Sequence, residues 1–357
     1  MTTRGIVNIG PGQAEVREIT IPELEPDYIK VKPTAWAINP DDVYHLDLEG
    51  EESCAGSLVG SDYAGTVVEV GSGVTKDFKI GDRIAGVISG QNILRKSDGA
   101  FANVIVVKGD IQMKIPDNIS DADAATQGIA LITMGVGVYR TLKLPLPEES
   151  PRESYPIFIY GGSTAMGISA IQFGKLSGAT IITTSSPSNA DYLKSLGADH
   201  VLDYKSTTLV EDVLRIANGP VHHVFDTYPS NASTATSAAV LSQSGNAKYV
   251  ALVPGFEKEV KKLNPSVDAQ SILAYSAFGN PWMYENEYFD AVPGDYEFQK
   301  KFILVAERLF AEGKVKAPRV FLNRGGSGLE GILRGLEEMR DGRVSGGKLV
   351  YTTENKA

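Results

Sequence analysis

The stretch Ile157-Phe158-Ile159-Tyr160-Gly161-Gly162-Ser163-Thr164-Ala165-Met166-Gly167 reads as a strand, a small-residue turn and a helix start. Four consecutive apolar or aromatic residues suit a strand buried on both faces, as in a parallel sheet. The small side chains that follow let the backbone approach a pyrophosphate, and the free N–H groups of a helix start point at it. The helix is expected to continue through residues 170–176. Ser163 stands where a G-x-G-x-x-G pattern has its second glycine, and Met166 breaks the spacing. An ordinary tight strand–helix turn is therefore the alternative reading.

Working downstream, the next strand, residues 180–185, carries no acid at its end. A unit that prefers NAD places Asp or Glu about 20 residues after the glycines, on the ribose hydroxyls. Here Ser185, Ser186, Ser188 and Asn189 offer hydroxyl and amide groups instead, with Lys175 or Lys194 as sources of charge. A 2′-phosphate suits such a loop, so NADPH is the expected cofactor; the same residues also suit the cap of the next helix. A helix over 190–196 and strands over 200–203, 248–253 and 271–278 continue the alternation that marks βαβ units. An aromatic, acidic insert covers 280–296, and a strand over 347–351 closes the chain. Upstream the texture differs. Short strands over 28–33, 62–70 and 101–107, punctuated by Gly71-Ser72-Gly73 and Gly81-Asp82, suggest a small barrel or sandwich. Ser120-Asp121-Ala122-Asp123 opens a helical stretch to about 142, and 145–156 reads as a proline-rich loop.

The 357 residues suit two domains, and the net charge of −10 makes nucleic acid and anionic membrane surfaces poor partners. The one cysteine, Cys54, cannot form an internal disulfide. No apolar stretch has the length of a membrane span, and the N-terminal residues lack a secretory apolar core, so a cytoplasmic protein is expected. His222-His223, before an apolar strand ending at Asp226, are read as ordinary strand residues rather than metal ligands.

Several segments carry a wider resemblance: Ala37-Ile38-Asn39-Pro40-Asp41-Asp42, Gly60-Ser61-Asp62-Tyr63-Ala64-Gly65-Thr66-Val67, Gly81-Asp82-Arg83-Ile84, Gly99-Ala100-Phe101-Ala102 and Gly342-Arg343-Val344-Ser345-Gly346-Gly347-Lys348. Over essentially its full length the chain resembles the medium-chain dehydrogenase/reductase superfamily. The resemblance implies an α/β protein with a GroES-like, β-rich catalytic domain over 1–125 and 299–357. A Rossmann doubly wound parallel sheet is implied over 126–298. The zinc-free, quinone oxidoreductase-like branch fits best. Zinc-dependent members carry Cys at the place of Asn39 and Gly-His-Glu at the place of Gly60-Ser61-Asp62, and a catalytic zinc needs three protein ligands.

More narrowly, Tyr160-Gly161-Gly162-Ser163-Thr164-Ala165, Thr184-Ser185-Ser186-Pro187-Ser188-Asn189, Leu144-Pro145-Leu146-Pro147 and the insert after Phe278-Gly279 resemble fungal trans-acting enoyl reductases of reducing polyketide synthases. That similarity implies hydride transfer from NADPH to the β-carbon of an enoyl thioester. The thioester would be presented by the acyl carrier domain of a synthase. It places the cofactor at Asp41-Asp42-Val43-Tyr44, Ser163-Thr164-Ala165-Met166, Ser186-Pro187-Ser188-Asn189, Tyr204, Leu252-Val253 and Val344-Ser345. It places the acyl chain along Val136-Gly137-Val138-Tyr139-Arg140-Thr141-Leu142-Lys143 and Ala274-Tyr275-Ser276-Ala277-Phe278. The lovastatin-type enzyme carries Lys at the place of Tyr44 and Thr at that of Met134. Tyr44 is the candidate proton donor, with packing on the nicotinamide as its other reading. A quinone or small-enone reductase and a cofactor-binding protein without turnover remain alternative functions. A monomer is expected.

Overall fold

The computed structural model describes residues 1–149, 151 and 153–353. Ser150 and Arg152 of the expected proline-rich loop, and the last four residues of the stretch 299–357, lie outside the described residues.

The chain opens on an antiparallel hairpin, β1 (Thr2–Gly10) and β2 (Gln13–Thr20). β3 (Tyr28–Ala37), β4 (Asp62–Val70), β5 (Arg83–Val87), β6 (Ile105–Lys108) and β7 (Met113–Lys114) follow, with helix α1 (Pro40–Asp47) between β3 and β4. Proline at the first turn of α1 has no N–H to leave unpaired, and Asp41 and Asp42 complement the positive helix start. After a helical stretch come β8 (Tyr155–Tyr160), helix α2 (Ala165–Leu176), β9 (Ala179–Ser185), β10 (His200–Asp203), β11 (His223–Asp226), β12 (Lys248–Ala251) and β13 (Asp268–Ser271). The chain returns through a hairpin, β14 (Trp282–Tyr284) and β15 (Glu287–Phe289), then β16 (Val320–Leu322) and β17 (Lys348–Thr352).

These elements form two compact units: Met1–Ile132 with the chain from Tyr275 onward, and Thr133–Ala274. The crossings fall at other residues than the 125/126 and 298/299 expected from the sequence. The insert packs with the first unit: Asn280 Nδ2 donates to Tyr28 Oη at 2.9 Å, and Lys108 Nζ donates to Asn280 Oδ1 at 3.2 Å.

In the first unit the strand order is β16-β17-β3-β4-β5-β7, with β6 also on β3. Its pairs are antiparallel except β16 with β17. Trp36, Tyr63, Phe101 and Tyr351 are fully buried in its core. In the second unit six parallel strands run in the order β10-β9-β8-β11-β12-β13. Numbered within the sheet, that is 3-2-1-4-5-6, the doubly wound dinucleotide-binding order. Phe158, Ile182, Val224 and Tyr249 fill its core without exposure, which explains the run of apolar residues in β8.

One strand expectation is corrected. Residues 271–278 are not a strand: the sheet edge is Asp268–Ser271, and Ala274–Phe278 forms a 3₁₀ helix. The ladder ends because the partner strand ends. Ile272 N–H makes a last bond to the Ala251 carbonyl at 3.0 Å, and β12 stops at Ala251.

Candidate active site

In a doubly wound sheet, ligands bind outside the carboxyl ends of the strands, where the order reverses. In the second unit that reversal lies between β8 and β11. Gly161 follows β8 with φ of +86°, a conformation that costs other residues strain. A Cβ on Gly162 would lie 2.2 Å from Thr183 Oγ1, and one on Gly167 would lie 2.3 Å from the Gly161 carbonyl oxygen. The turn is therefore glycine-rich for close packing of strand and helix as well as for ligand approach. Thr164 caps α2, its hydroxyl accepting from Gly167 N at 2.9 Å. Thr227, after β11, donates to the carbonyls of Tyr160 and Gly161 at 2.9 and 2.8 Å and so ties down the turn. The first N–H groups of α2, at Ala165 and Met166, have no carbonyl one turn back and suit a phosphate.

β9 and β10 are register neighbours, Ser185 opposite Asp203. The loops that follow them, Ser186–Asn189 and Tyr204-Lys205, therefore leave adjacent strand ends. Ser186 and Ser188 hydroxyls lie 3.2 Å apart, and Asn189 Nδ2 donates to Ser186 Oγ at 3.3 Å. Tyr204 is 44% exposed, and the Lys205 ammonium lies 5.6 Å from its ring centre. Lys205 is a cation the sequence reading passed over; its signal was adjacency to Tyr204. Lys175 is withdrawn from the role considered for it, because both oxygens of Asp199 hold its ammonium at 2.6 and 2.9 Å. Leu252 and Val253 follow β12, and Val253 is exposed. Burial pushes the Asp226 carboxyl, at the end of β11, up to about 6. It accepts from Tyr249 Oη at 2.9 Å.

In the first unit the segment Asp41–Tyr44 forms the start of α1. Asp42 is buried and accepts from Asn39 N at 2.7 Å and from Ser61 Oγ at 3.2 Å; burial pushes its carboxyl up to about 8. Asp41 accepts from Tyr275 Oη at 2.8 Å. Val43 packs into the core. Tyr44 stacks on Tyr284 with ring centres 6.1 Å apart and donates to Glu285 Oε1 at 2.6 Å. Burial and the Glu285 carboxylate raise the Tyr44 hydroxyl above the usual tyrosine range. The insert hairpin thus lies on α1, which local sequence patterns could not reveal.

Behind α1 lies a buried polar cluster. Lys348, 3% exposed, donates to Asn39 Oδ1 at 2.8 Å, to Asp62 Oδ2 at 2.5 Å and to the Thr126 carbonyl at 3.2 Å. The other Asp62 oxygen accepts from Ile129 N at 2.6 Å. Both carboxylate oxygens are therefore engaged by donors. Among the described residues no group of three or more His, Cys, Asp or Glu is placed to hold a metal.

The residues expected along the acyl chain fall into both units: 136–143 and Ala274 in the second, 275–278 in the first. Met134–Thr141 is a π-helix whose Val136, Gly137, Val138 and Tyr139 are buried. The Tyr139 hydroxyl lies 3.2 Å from Ser177 Oγ. A Cβ on Gly137 would lie 2.7 Å from Ile272 Cδ1 and 3.1 Å from Phe225 Cε2, so this turn is packed tightly against the residue that follows β13 and against β11. Arg140 and Thr141 are half-buried, Leu142 is buried, and Lys143 is exposed with φ of +64°. Ser276, Ala277 and Phe278 are buried. Val344 and Ser345 lie in the loop before β17, half-buried and exposed respectively.

Residues 25–117 match the family described as alcohol dehydrogenase GroES-like domain, and residues 165–293 match zinc-binding dehydrogenase. Across 99% of both chains the fold superposes on the CurK enoyl reductase with a TM-score of 0.75 at 18% identity. Across 99% of this chain and 100% of the other it superposes on the quinone oxidoreductase of Coxiella burnetii with a TM-score of 0.73 at 21% identity. Two domains of this kind, with a doubly wound sheet, define a medium-chain dehydrogenase/reductase, an oxidoreductase that uses a nicotinamide cofactor. The trans-enoyl reductase ACTTS2 of Alternaria alternata is 39% identical, covering 98% of this chain and 99% of its own length. The trans-enoyl reductase resD of Aspergillus sclerotiorum is 35% identical over the same shares. The chain belongs to the trans-enoyl reductase family.

Proposed function

We propose that this protein uses NADPH to reduce the α,β double bond of an enoyl thioester carried by the acyl carrier domain of a separate polyketide synthase. Full-length kinship with trans-enoyl reductases carries the reading. When bound, the cofactor supplies the hydride for the β-carbon.

The chain's own residues do the rest. Backbone N–H groups at Ala165 and Met166 take the pyrophosphate. Ser186, Ser188, Asn189, Tyr204 and Lys205 receive the 2′-phosphate, with no carboxylate among them to repel it. Asp41–Tyr44, Leu252-Val253 and Val344-Ser345 complete the cofactor contacts, and 136–143 with 274–278 take the acyl chain. Tyr44 gives the α-carbon its proton once its hydroxyl leaves Glu285. The reaction is read as zinc-independent, because Lys348 and Ile129 N occupy both oxygens of Asp62, while Asn39 Oδ1 faces Lys348.

The test is NADPH consumption with three substrates: a quinone, a free enone and an enoyl-pantetheine thioester. The thioester should be the preferred substrate by kcat/KM. Faster turnover of the quinone would establish a quinone reductase instead. NADPH should bind at least tenfold tighter than NADH, since each charged hydrogen bond to a phosphate contributes about 1.5–3 kcal/mol. Equal affinities would remove the cofactor assignment.

A further inference from the structure

Asn39 is 3% exposed, and among the described residues its side-chain Nδ2 has no hydrogen-bond partner. A buried donor without an acceptor costs about 1–3 kcal/mol, so a fold that keeps one calls for an explanation. The orientation of the amide is set by its neighbour. Lys348 Nζ can only donate, and it lies 2.8 Å from Oδ1. The NH₂ group must therefore face away from Lys348. Lys348 is itself held by Asp62 and the Thr126 carbonyl, and the Asn39 backbone N–H by Asp42. The uncommitted donor thus sits on a rigid support.

Its place in the chain is equally specific. Asn39 directly precedes Pro40 and the segment Asp41–Tyr44 proposed to meet the cofactor. Resting on that reading, the reaction leaves negative charge on the thioester oxygen when hydride reaches the β-carbon. The C=C electron pair moves to the α-carbon and carbonyl, giving an enolate. A proton then forms the new C–H bond at the α-carbon, and the C=O double bond returns. Donors aimed at such a charge in a water-excluded site are the largest source of rate enhancement in related chemistry. In this structure the Tyr44 hydroxyl is committed to Glu285, whereas Asn39 Nδ2 has no acceptor among the described residues. The ammonium on Oδ1 polarises the amide and makes its N–H groups better donors.

We infer that the Asn39 side-chain amide donates a hydrogen bond to the thioester oxygen and stabilises the enolate. Lys348 and Asp62 act behind it as positioning residues.

Asn39→Asp keeps an acceptor for Lys348 but has no N–H, and Asn39→Ser restores a shorter donor. Both would be compared with wild type using NADPH and crotonyl-pantetheine, with thermal melting and NADPH titration alongside. The expected result for Asn39→Asp is a fall in kcat of about 10²–10³-fold. KM and NADPH Kd should change less than about threefold, and Asn39→Ser should recover part of the rate. A kcat within threefold of wild type would overturn the assignment. So would an NADPH Kd raised more than tenfold, which would give the amide to the nicotinamide instead. If Asn39→Asp does not fold, Asn39→Ala is judged by the same limits. A wild-type enzyme inert toward the thioester would sink the proposed function itself, and Asn39's role with it. That outcome is separate from an active wild type with an unaffected variant.

Discussion

Lys348 and Asp62 are 3% and 0% exposed, and an ion pair so placed makes each partner depend on the other. Lys348→Met leaves the Asp62 carboxylate buried and unpaired, which should lower unfolding stability by about 3–5 kcal/mol. Urea unfolding would measure the loss, and adding Asp62→Asn should recover much of it by removing the stranded charge. Full stability in the single variant would mean that Asp62 is otherwise solvated. Tyr44 invites a kinetic test. If its hydroxyl delivers the α-proton, Tyr44→Phe should lower kcat about 10²-fold and leave NADPH affinity nearly unchanged. A change below threefold would return the ring to packing on the nicotinamide and Tyr284. Glu285→Gln then supplies a second reading, since a neutral acceptor holds the hydroxyl less tightly than a carboxylate and should not slow the reaction.

At the scale of elements, four parallel strands end beside one another: β10, β9, β8 and β11. Their pairing turns residues scattered between 161 and 228 into a single row of loops. Ser186–Asn189 and Tyr204-Lys205 are neighbours for this reason alone, because Ser185 and Asp203 are register partners. On the proposed reading Lys205 supplies the positive charge that the hydroxyl groups lack. Lys205→Ala should raise the NADPH Kd by about tenfold or more and leave that for NADH unchanged, following the strength of charged hydrogen bonds. Titration by cofactor fluorescence would show it, and equal losses for both cofactors would assign Lys205 to packing on Tyr204.

For the molecule as a whole, pH and association are the two tests. Burial, with His222 and Lys248 nearby, lowers His223 to about 4. The folded state therefore binds fewer protons there than the unfolded chain between about pH 4 and 6.5. This contribution is present above the unfolded pKa and is lost as pH falls through that window. His223→Gln should lose less melting temperature than wild type on acidification from pH 7 to 4; parallel curves would contradict the shift. The second unit's sheet ends in two short edges, His200–Asp203 and Asp268–Ser271. The second carries Asp268, paired to Lys248 at 2.5 Å, and Gln270. Short polar edges resist pairing with another chain. We expect a monomer of 38.2 kDa by light scattering at micromolar concentration; twice that mass would contradict it.

Periodicity and glycine placement were enough to read several strands of the second unit and its glycine-rich turn from the sequence. Strand over 200–203, the turn after Tyr160 and the acid-free end of β9 are local properties, legible because side-chain pattern and backbone geometry repeat within a few residues. The resemblance carried the first unit and the family. Strand ends were less legible: residues 271–278 look apolar enough for a strand, yet pairing stops at Ser271 because β12 stops at Ala251. The polar centre was hidden altogether. Lys348 meets Asn39 and Asp62 across 309 and 286 residues of chain, and Tyr44 meets Glu285 across 241. Local pattern determined which groups this protein owns and where its strands and helices begin. Only tertiary packing decided which of those groups are buried together, because desolvation and hydrogen-bond completion are properties of neighbours in space rather than in sequence.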